Sequence, residues 1–366
     1  MHQINEIKLK TDEPIICVMS GNFTQRGEVA IVDKYARAQM AIEAGANLVV
    51  ELPIPFCISS AEYFASAGVS ILHGLGVDKL CFGSESNDAE TIEKIATVAC
   101  SDEFKNECES LPKGEGIASA YFDLLARKVG CSNILSNDIL GIEYTKAIIK
   151  NEYKMQIFPI KREGNAYRDT ELVLGELPSA SAIRDSIFTG NMCDIQHFVP
   201  LSTLNILKSC ELANIENAQN GILLALRLVN PEFLDVAISD VGLLNRILST
   251  VHECTTFDEF ENRLQTKKYT KSAIRRAILY ILLGIKQSDL DNMPKYTILL
   301  GANEKGREYL SSIRKSDDKI KVISKPADAE GNRAFELSKK ADAFYTMCFE
   351  NKKESGYYIK KSPRIL

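Results

Sequence analysis

Glu13-Pro-Ile-Ile-Cys-Val-Met-Ser-Gly-Asn-Phe-Thr-Gln-Arg-Gly-Glu28 is the stretch that decides the fold of this chain. Its apolar part, from Pro14 to Ser20, is long enough to predict a strand buried on both faces. The run breaks at Gly21-Asn22 into a polar loop, which Gly27 closes. A solvated loop is one interpretation of these residues, and a ligand-binding loop is the other.

A helix and a second strand follow this loop. Ile31, Tyr35, Ala38 and Ile42 recur at helical spacing, and the apolar run from Leu48 to Leu52 predicts another buried strand. Strand, loop, helix and strand form a βαβ unit, which is right-handed and parallel in nearly all proteins. Ligands of open parallel sheets bind beyond the carboxyl ends of the strands. Four residues therefore lie where a ligand is expected: Gly21, Asn22, Gln25 and Arg26.

Length and composition exclude several classes of protein. The 366 residues suffice for two or three domains, and the net charge of −5 excludes a protein that is basic all over. The ten cysteines form no C-x-x-C pair, and four histidines are too few and too scattered for a His-based metal site. No apolar run approaches a membrane span or a signal peptide. We therefore expect a cytoplasmic protein with reduced thiols, no metal ligands and no membrane contact.

Two more predicted strands end in small or polar residues. Val77 to Phe82 is followed by Gly83-Ser84-Glu85, and Met155 to Ile160 is followed by Lys161-Arg162. Asn137-Asp138 is typical of a helix cap, and Ser179-Ala-Ser-Ala-Ile-Arg184 of a helix start with a serine cap. Helix amides, a serine hydroxyl and guanidinium groups at one sheet edge are what a phosphate chain needs. The pattern therefore favours a nucleotide site, although each part alone is also typical of ordinary surface.

From Pro200 onward the pattern is mostly helical. The segment from Asn262 to Arg276 contains six basic residues and no acidic one. We interpret it as a surface that contacts a polyanion, with a solvated helix face as the alternative. Strand, helix and strand patterns near the C-terminus predict a small α/β appendix. The predicted domains are 1–195, 196–290 and 291–366.

Several motifs together resemble the bacterial tRNA(Met) cytidine acetate ligases. The resemblance covers nearly the whole chain, and its first motif is long enough to be specific. The N-terminal motifs are Val18-Met-Ser-Gly-Asn-Phe-Thr-Gln-Arg-Gly-Glu28, Asp33-Lys34-Tyr35-x-Arg37-Ala38, Glu51-Leu52-Pro53, Phe82-Gly83-Ser84-Glu85, Asn137-x-Ile-Leu-Gly-Ile-Glu-Tyr144, Ile160-Lys-Arg162 and Ser181-Ala-Ile-Arg184. Those of the C-terminal half are Lys268-Tyr-Thr270 and Leu300-Gly-Ala-Asn-Glu-Lys-Gly306.

The resemblance implies an α/β fold, namely a Rossmann-like nucleotidyltransferase parallel sheet followed by a mostly helical C-terminal domain. It also implies a ligase that converts ATP and acetate to acetyl-adenylate and acetylates the wobble cytidine of elongator tRNA(Met). A Mg²⁺ ion and a homodimer are both compatible with this resemblance, but no feature of the sequence requires either of them. The alternatives are an adenylyltransferase acting on a small molecule and a non-catalytic tRNA-binding relative.

Site residues follow from the same resemblance, position by position. The implied ATP contacts are His2, Gly83, Asn137, Lys161 and Arg162, with Ser181 and Arg184 ranked next. The basic segment supplies the expected tRNA contacts, which are Lys267, Lys268, Lys271, Arg275 and Arg276. No catalytic base is identified, because acyl transfer from an activated anhydride to an unpaired base requires mainly positioning.

The sequence departs from the family in one respect. Related proteins open with a strand and a His-x-Gly-His loop that binds the ATP phosphates, and this sequence contains no such motif. Met1-His2-Gln3 aligns just after it, so that one strand and one loop, roughly fifteen to twenty residues, are expected to be missing. A misplaced start site, a truncation and a real loss all account for this, and the intact downstream motifs favour the first.

Overall fold

The N-terminal part of the chain folds as the expected βαβ unit. A computed structural model describes residues 2–111, 117–131, 134–162, 178–191, 194–313, 320–329 and 331–366. Side chains 117–119, 136–137 and 326–327 lie outside that description. The first elements are α1 (His2–Lys8), β1 (Ile16–Ser20), α2 (Lys34–Glu43) and β2 (Leu48–Leu52). Strands β1 and β2 pair in parallel from Ile16–Leu48 to Ser20–Leu52.

The two strands differ in burial. All five residues of β2 are buried, as predicted, whereas those of β1 are only half-buried. Within the described residues β1 is hydrogen-bonded to a strand on one side only, which makes it an edge strand. The expectation that β1 is buried on both faces is therefore wrong, because one strand neighbour leaves part of its surface open.

A second parallel pair forms beside this unit. Its elements are α3 (Ala61–Gly74), β3 (Lys79–Ser84), α4 (Ala89–Cys100), α5 (Asp102–Cys108), α6 (Ile117–Val129), α7 (Ser136–Lys150) and β4 (Gln156–Lys161). Strands β3 and β4 pair from Lys79–Gln156 to Ser84–Lys161 and form a sheet of their own. The expectation of one sheet containing all four strands is therefore not met, because β3 and β4 form hydrogen bonds only with each other within the described residues. Ile16 and Val18 of β1 nevertheless pack against the hydrophobic core of the second sheet.

Seven helices form most of the next segment of the described chain. They are α8 (Ala180–Phe188), α9 (Leu201–Ser209), α10 (Gln219–Arg227), α11 (Val241–Thr250), α12 (Phe257–Leu264), α13 (Lys271–Leu283) and α14 (Gln287–Asp291). Ile247, Phe260 and Ile274 belong to the same hydrophobic core as Leu48 and Val50 of β2. The helical segment is therefore packed directly on the first sheet.

The C-terminal segment joins the first sheet. Its elements are β5 (Tyr296–Ala302), α15 (Glu304–Ile313), β6 (Lys321–Ile323), α16 (Arg333–Thr346) and β7 (Arg364–Ile365). Strand β5 pairs antiparallel with β2 and parallel with both β6 and β7, giving the order β1-β2-β5-β6. Gly306 allows this union, because a Cβ there would collide with the backbone carbonyl of Asn47. The division into three domains stays a prediction.

Candidate active site

Gly83 and Arg162 meet at the carboxyl ends of β3 and β4. The backbone amide of Arg162 donates to the carbonyl of Ser84 over 2.8 Å, which extends the β3–β4 pairing by one residue. A Cβ on Gly83 would lie 3.2 Å from Cγ of Arg162, so the arginine side chain passes directly over the glycine. Lys161, which is exposed, pairs with Ser84 across the two strands. Two adjacent cations thus stand at the strand end, where the missing side chain of Gly83 leaves room for Arg162.

The start of α7 is fixed to the same strand end by Asp138. This buried carboxylate accepts hydrogen bonds from Ser84 Oγ at 2.6 Å, the Glu85 amide at 2.9 Å and the Ser86 amide at 3.1 Å. The prediction that Asn137-Asp138 caps this helix is wrong, because α7 begins at Ser136 and Leu135 occupies the cap position. The Asp138 carboxylate instead turns toward the loop after β3. The backbone of Asn137 therefore lies in the first helical turn beside this loop, and its side chain is outside the described residues.

His2 lies in the first turn of α1, next to a residue that contacts β3. The side-chain amide of Gln3 donates to the carbonyl of Cys81 over 3.3 Å, two residues before Gly83. The start of α1 is thereby held beside the carboxyl-terminal half of β3. Four of the predicted ATP contacts, namely His2, Gly83, Lys161 and Arg162, are carried by α1, β3 and the end of β4.

Ser181 and Arg184 lie on α8, whose predicted serine cap is present. Ser179 Oγ accepts from the amide of Ala182 at 3.1 Å. Arg184 Nη2 is 3.5 Å from Ser181 Oγ and 3.8 Å from Glu28 Oε2. These two residues therefore border the loop that follows β1, which is the loop expected to bind a ligand.

That loop, α8 and α13 border an open cleft of about 270 Å³, here called the Glu28 cleft. Its polar lining residues are Glu28, Ser181, Arg184, Asp185, Asn214 and Arg275. Apolar side chains, including those of Phe188 and Leu279, form much of the rest. Gly27 makes the close approach of loop and helix possible. It has a φ of +74°, and a Cβ there would lie 2.9 Å from the amide of Arg276.

Buried charged side chains anchor the loop after β1. Lys34 Nζ is 3.0 Å from Glu51 Oε2 and 2.9 Å from Asp342 Oδ2. Burial opposes the charging of Lys34, but attraction to Asp342 and Glu51 outweighs it and raises the pKa of Lys34 well above its usual value. Burial also raises the pKa of Glu51, against the opposing attraction of Lys34. Asn22 completes the network, because its side-chain amide donates to Asp342 Oδ1 over 2.8 Å and its Oδ1 accepts from the Lys34 amide.

These contacts change the interpretation of the loop. Asn22 is 2 % exposed, and a Cβ on Gly21 would collide with the Glu51 carboxylate. Gln25 donates its side-chain amide to the carbonyl of Ser59 over 2.9 Å. Asn22 and Gln25 were expected as ligand-facing residues, but their polar groups are used to anchor the loop. A local sequence pattern cannot identify Asp342 as part of this network, because Asp342 lies 320 residues after Asn22 in the chain.

The predicted tRNA contacts are largely paired with acidic residues. Arg275 Nη1 donates to Glu28 Oε1 at 2.8 Å, and its Nε donates to Glu261 at 2.5 Å. Lys271 is 3.5 Å from Glu261, and Lys268 is 2.7 Å from Asp240. Arg276, which is half-buried, reaches the carbonyl of Gln25 at 3.5 Å, and burial lowers its pKa. Lys267 is exposed and forms no ion pair with the described part of the chain.

Comparisons with known proteins extend this picture. Residues 1–358 match the HIGH Nucleotidyl Transferase family. A tRNA(Met) cytidine acetate ligase of Clostridium perfringens is 34 % identical over 379 residues, covering 98 % of this chain and 94 % of the relative. This chain belongs to the tRNA(Met) cytidine acetate ligase family of HIGH nucleotidyl transferases. By membership it is a ligase, and its fold is of the nucleotidyltransferase type.

Solved structures agree with the family assignment. TmcAL of Thermotoga maritima, without ligand, superposes with a TM-score of 0.90 at 29 % identity, covering all of this chain and 95 % of that one. A second form of the same protein, bound with alpha-thio ATP, gives a TM-score of 0.87 at 28 % identity. The nucleotide analogue in that second form belongs to the Thermotoga maritima protein, whose fold this chain shares.

Two further properties follow from the described part of the chain. None of its helices is both long and apolar enough to cross a membrane. Its His, Cys, Asp and Glu side chains include no group of three or more arranged to hold a metal ion.

Proposed function

We propose that the chain joins acetate to the wobble cytidine of elongator tRNA(Met) at the expense of ATP. Acetate attacks the α-phosphate of ATP to give acetyl-adenylate and pyrophosphate, and cytidine N4 then takes the acetyl group and releases AMP. The observation that carries the proposal is the placement of Arg162 over Gly83 at the end of β3, with α7 fixed to the same strand end by Asp138. The identities of the acyl donor, acetate, and of the acceptor, cytidine, are inferred from the family to which the chain belongs.

In this proposal the nucleotide lies across the carboxyl ends of β3 and β4. Gly83 leaves room for the Arg162 side chain at this strand end, and Asn137 contacts the ribose or the base. Arg162 and Lys161 compensate the charge that develops as pyrophosphate leaves. Ser181 and Arg184 on α8 contact phosphate oxygens, and His2 closes the site from α1. A Mg²⁺ ion would be held by the ATP phosphates and would add to the same charge compensation.

The tRNA is proposed to approach over the start of α13. Lys267 and Lys268 are the exposed cations there, whereas Arg275 and Arg276 face the loop after β1. Charge attraction from these lysines would position the RNA backbone without reading its sequence. The reaction requires tRNA and ATP, so we propose the cytoplasm as its location. Light scattering in solution tests whether the protein forms a homodimer.

Two assays test the proposed function separately. Exchange of labelled pyrophosphate into ATP, measured with and without acetate, reports acetyl-adenylate formation. Mass spectrometry of nucleosides from tRNA(Met) after incubation reports N4-acetylcytidine. We expect acetate-dependent exchange without tRNA and N4-acetylcytidine only when all three substrates are present. Exchange that depends on another small molecule would favour an adenylyltransferase, and tRNA binding without any exchange would favour the non-catalytic relative.

Arg162→Ala connects these assays to the site. Loss of one charge-assisted contact to phosphate weakens an interaction by about 1.5–3 kcal/mol, which corresponds to roughly a 10- to 150-fold slower exchange. Lys154→Ala is the matched control, because Lys154 is an exposed cation preceding the other end of β4. Wild-type exchange by a normally folded Arg162→Ala variant would contradict the placement of the phosphates.

A further inference from the structure

One oxygen of the Glu28 carboxylate is available inside the Glu28 cleft. Oε1 accepts a hydrogen bond from Arg275 Nη1 at 2.8 Å. Oε2 is 3.8 Å from Arg184 Nη2, which is too long for a hydrogen bond. Within the described residues no other donor reaches Oε2, so its lone pairs are free to accept from a ligand. The hydrogen bond from Arg275 and the nearby Arg184 guanidinium fix the direction of this carboxylate.

The rest of the cleft suits a flat, mostly apolar ring. Phe188 stands at its edge with 44 % of its surface exposed, and Leu279 and Ile278 of α13 line it as well. An exposed aromatic ring beside an apolar wall is the usual platform on which an unpaired base stacks. A carboxylate oxygen with free lone pairs in such a pocket favours a base with an exocyclic amino group on its outer edge.

We propose that the Glu28 cleft binds the acceptor cytosine of the RNA, with Glu28 Oε2 accepting a hydrogen bond from N4. This inference rests on the proposed function, which names cytidine as the acceptor. Cytosine presents the N4 amino group as a donor, whereas uracil presents an oxygen at the same position, which a carboxylate repels. The target base is unpaired in the anticodon loop, so it can enter a pocket without breaking a base pair.

The position of the cleft fits the chemistry of the second step. Arg184, a proposed phosphate contact, is the neighbour of Glu28, so a base held by Glu28 lies next to the adenylate phosphate. Transfer forms the bond from N4 to the acetyl carbon and breaks the bond from that carbon to the phosphate oxygen, which leaves on AMP. The proton lost by N4 passes to the carboxylate that already accepts its hydrogen bond.

Base preference in binding tests the proposal directly. Wild type, Glu28→Gln and Glu261→Gln are titrated with anticodon stem-loop RNAs that carry C or U at the acceptor position. Glu261 is the matched control, because it also pairs with Arg275 but does not line the cleft. We expect wild type and Glu261→Gln to bind the C form about tenfold or more tightly than the U form. Glu28→Gln should lose that preference, because the amide can donate to uracil O4.

Several results would overturn the assignment. They are equal binding of C and U by wild type, an unchanged preference in Glu28→Gln, and an equal loss of preference in both variants, which would mean that Glu28 acts only through Arg275. Adenine also has an exocyclic amino group, so ATP affinity is measured for all three proteins. A loss of ATP affinity in Glu28→Gln as large as the loss of preference would assign the cleft to adenine. Acetate-dependent exchange by wild type without RNA tests the proposed function independently.

A second pair of variants covers the case in which the charge change disturbs folding. Phe188→Ala removes a half-exposed ring at the cleft, and Phe233→Ala removes an 83 % exposed ring that does not line it. We expect Phe188→Ala to weaken binding of both RNAs roughly 5- to 150-fold, as loss of one stacked base does. Phe233→Ala should bind as wild type does. Equal affinities in the two variants would contradict a stacked base at Phe188.

Discussion

Lys34→Met tests whether the buried charges hold the loop after β1. Lys34 is 2 % exposed and pairs with Glu51 at 3.0 Å and Asp342 at 2.9 Å. Methionine keeps most of the side-chain volume and removes the cation, so two carboxylates remain buried without their shared partner. Breaking a buried ion pair from one side is destabilising by about 3–5 kcal/mol. Urea unfolding at pH 7.5 should show a loss of that size.

The pH dependence of this loss has a defined sign. The raised pKa of Lys34 means that its contribution is fully present below the unfolded pKa of 10.5, so it is constant between pH 5 and 8. In the variant, the pKa of Glu51 rises further above its usual 4.5, because burial now acts without the opposing cation. The folded variant then binds protons more readily than its unfolded chain. Its stability deficit should therefore shrink as the pH falls from 8 toward 5.

An exposed ion pair provides the control for this experiment. Lys79 is 3.5 Å from Glu13, and their side chains are 52 % and 60 % exposed. Lys79→Met should change the free energy of unfolding by less than about 1 kcal/mol, because exposed pairs are weak. If Lys34→Met also lost less than about 1 kcal/mol, with no dependence on pH, the buried network would not be what holds the loop.

Three further predictions concern the two candidate sites. In thermal unfolding, Gly27→Ala should lose about 1–3 kcal/mol of stability from left-handed backbone strain, and more from the collision of its Cβ with α13. Gly190→Ala is the control for strain alone, because Gly190 has a φ of +85° and open space around it. Gly83→Ala should fold normally but slow pyrophosphate exchange, because its Cβ displaces Arg162, and an unchanged rate would show that the nucleotide does not lie there. Replacing Lys267, Lys268 and Lys271 by alanine should reduce the slope of log tRNA affinity against log salt concentration by up to about one unit per lost phosphate contact. An unchanged slope would mean that the segment is ordinary solvated surface.

Local patterns predicted the elements of this fold well. The apolar runs at Leu48 to Leu52 and Met155 to Ile160 are strands β2 and β4 to within two residues. Ser179 caps α8 as its sequence indicates, because a cap is decided by its own helix turn. The strand after residue 290 was also predicted, but not its pairing with β2, since no local signal specifies a partner some 250 residues away.

The candidate site shows the same limit in its charges. The segment from Asn262 to Arg276 was interpreted from its own residues, and Glu261 lies one position before it. Glu28 and Asp240, which pair with Arg275 and Lys268, come from distant parts of the chain. A charge count in a window cannot detect such neutralisation, so whether the basic segment contacts tRNA stays a prediction. Lys267 is its strongest remaining candidate.

The loop after β1 connects the two halves of the proposed reaction. Its start is anchored by Asn22 to Asp342 on α16, and Arg37 donates to the carbonyls of Ser20 at 3.0 Å and Gly21 at 2.7 Å. Its end carries Glu28, which pairs with Arg275 of α13 and approaches Arg184 of α8. Because the start of the loop is fixed by a buried hydrogen bond and its end by a partly exposed ion pair, the cleft is formed before any ligand binds. In the proposed reaction, a preformed cleft between α8 and α13 supplies orientation in advance, which is the main requirement for moving an already activated acetyl group.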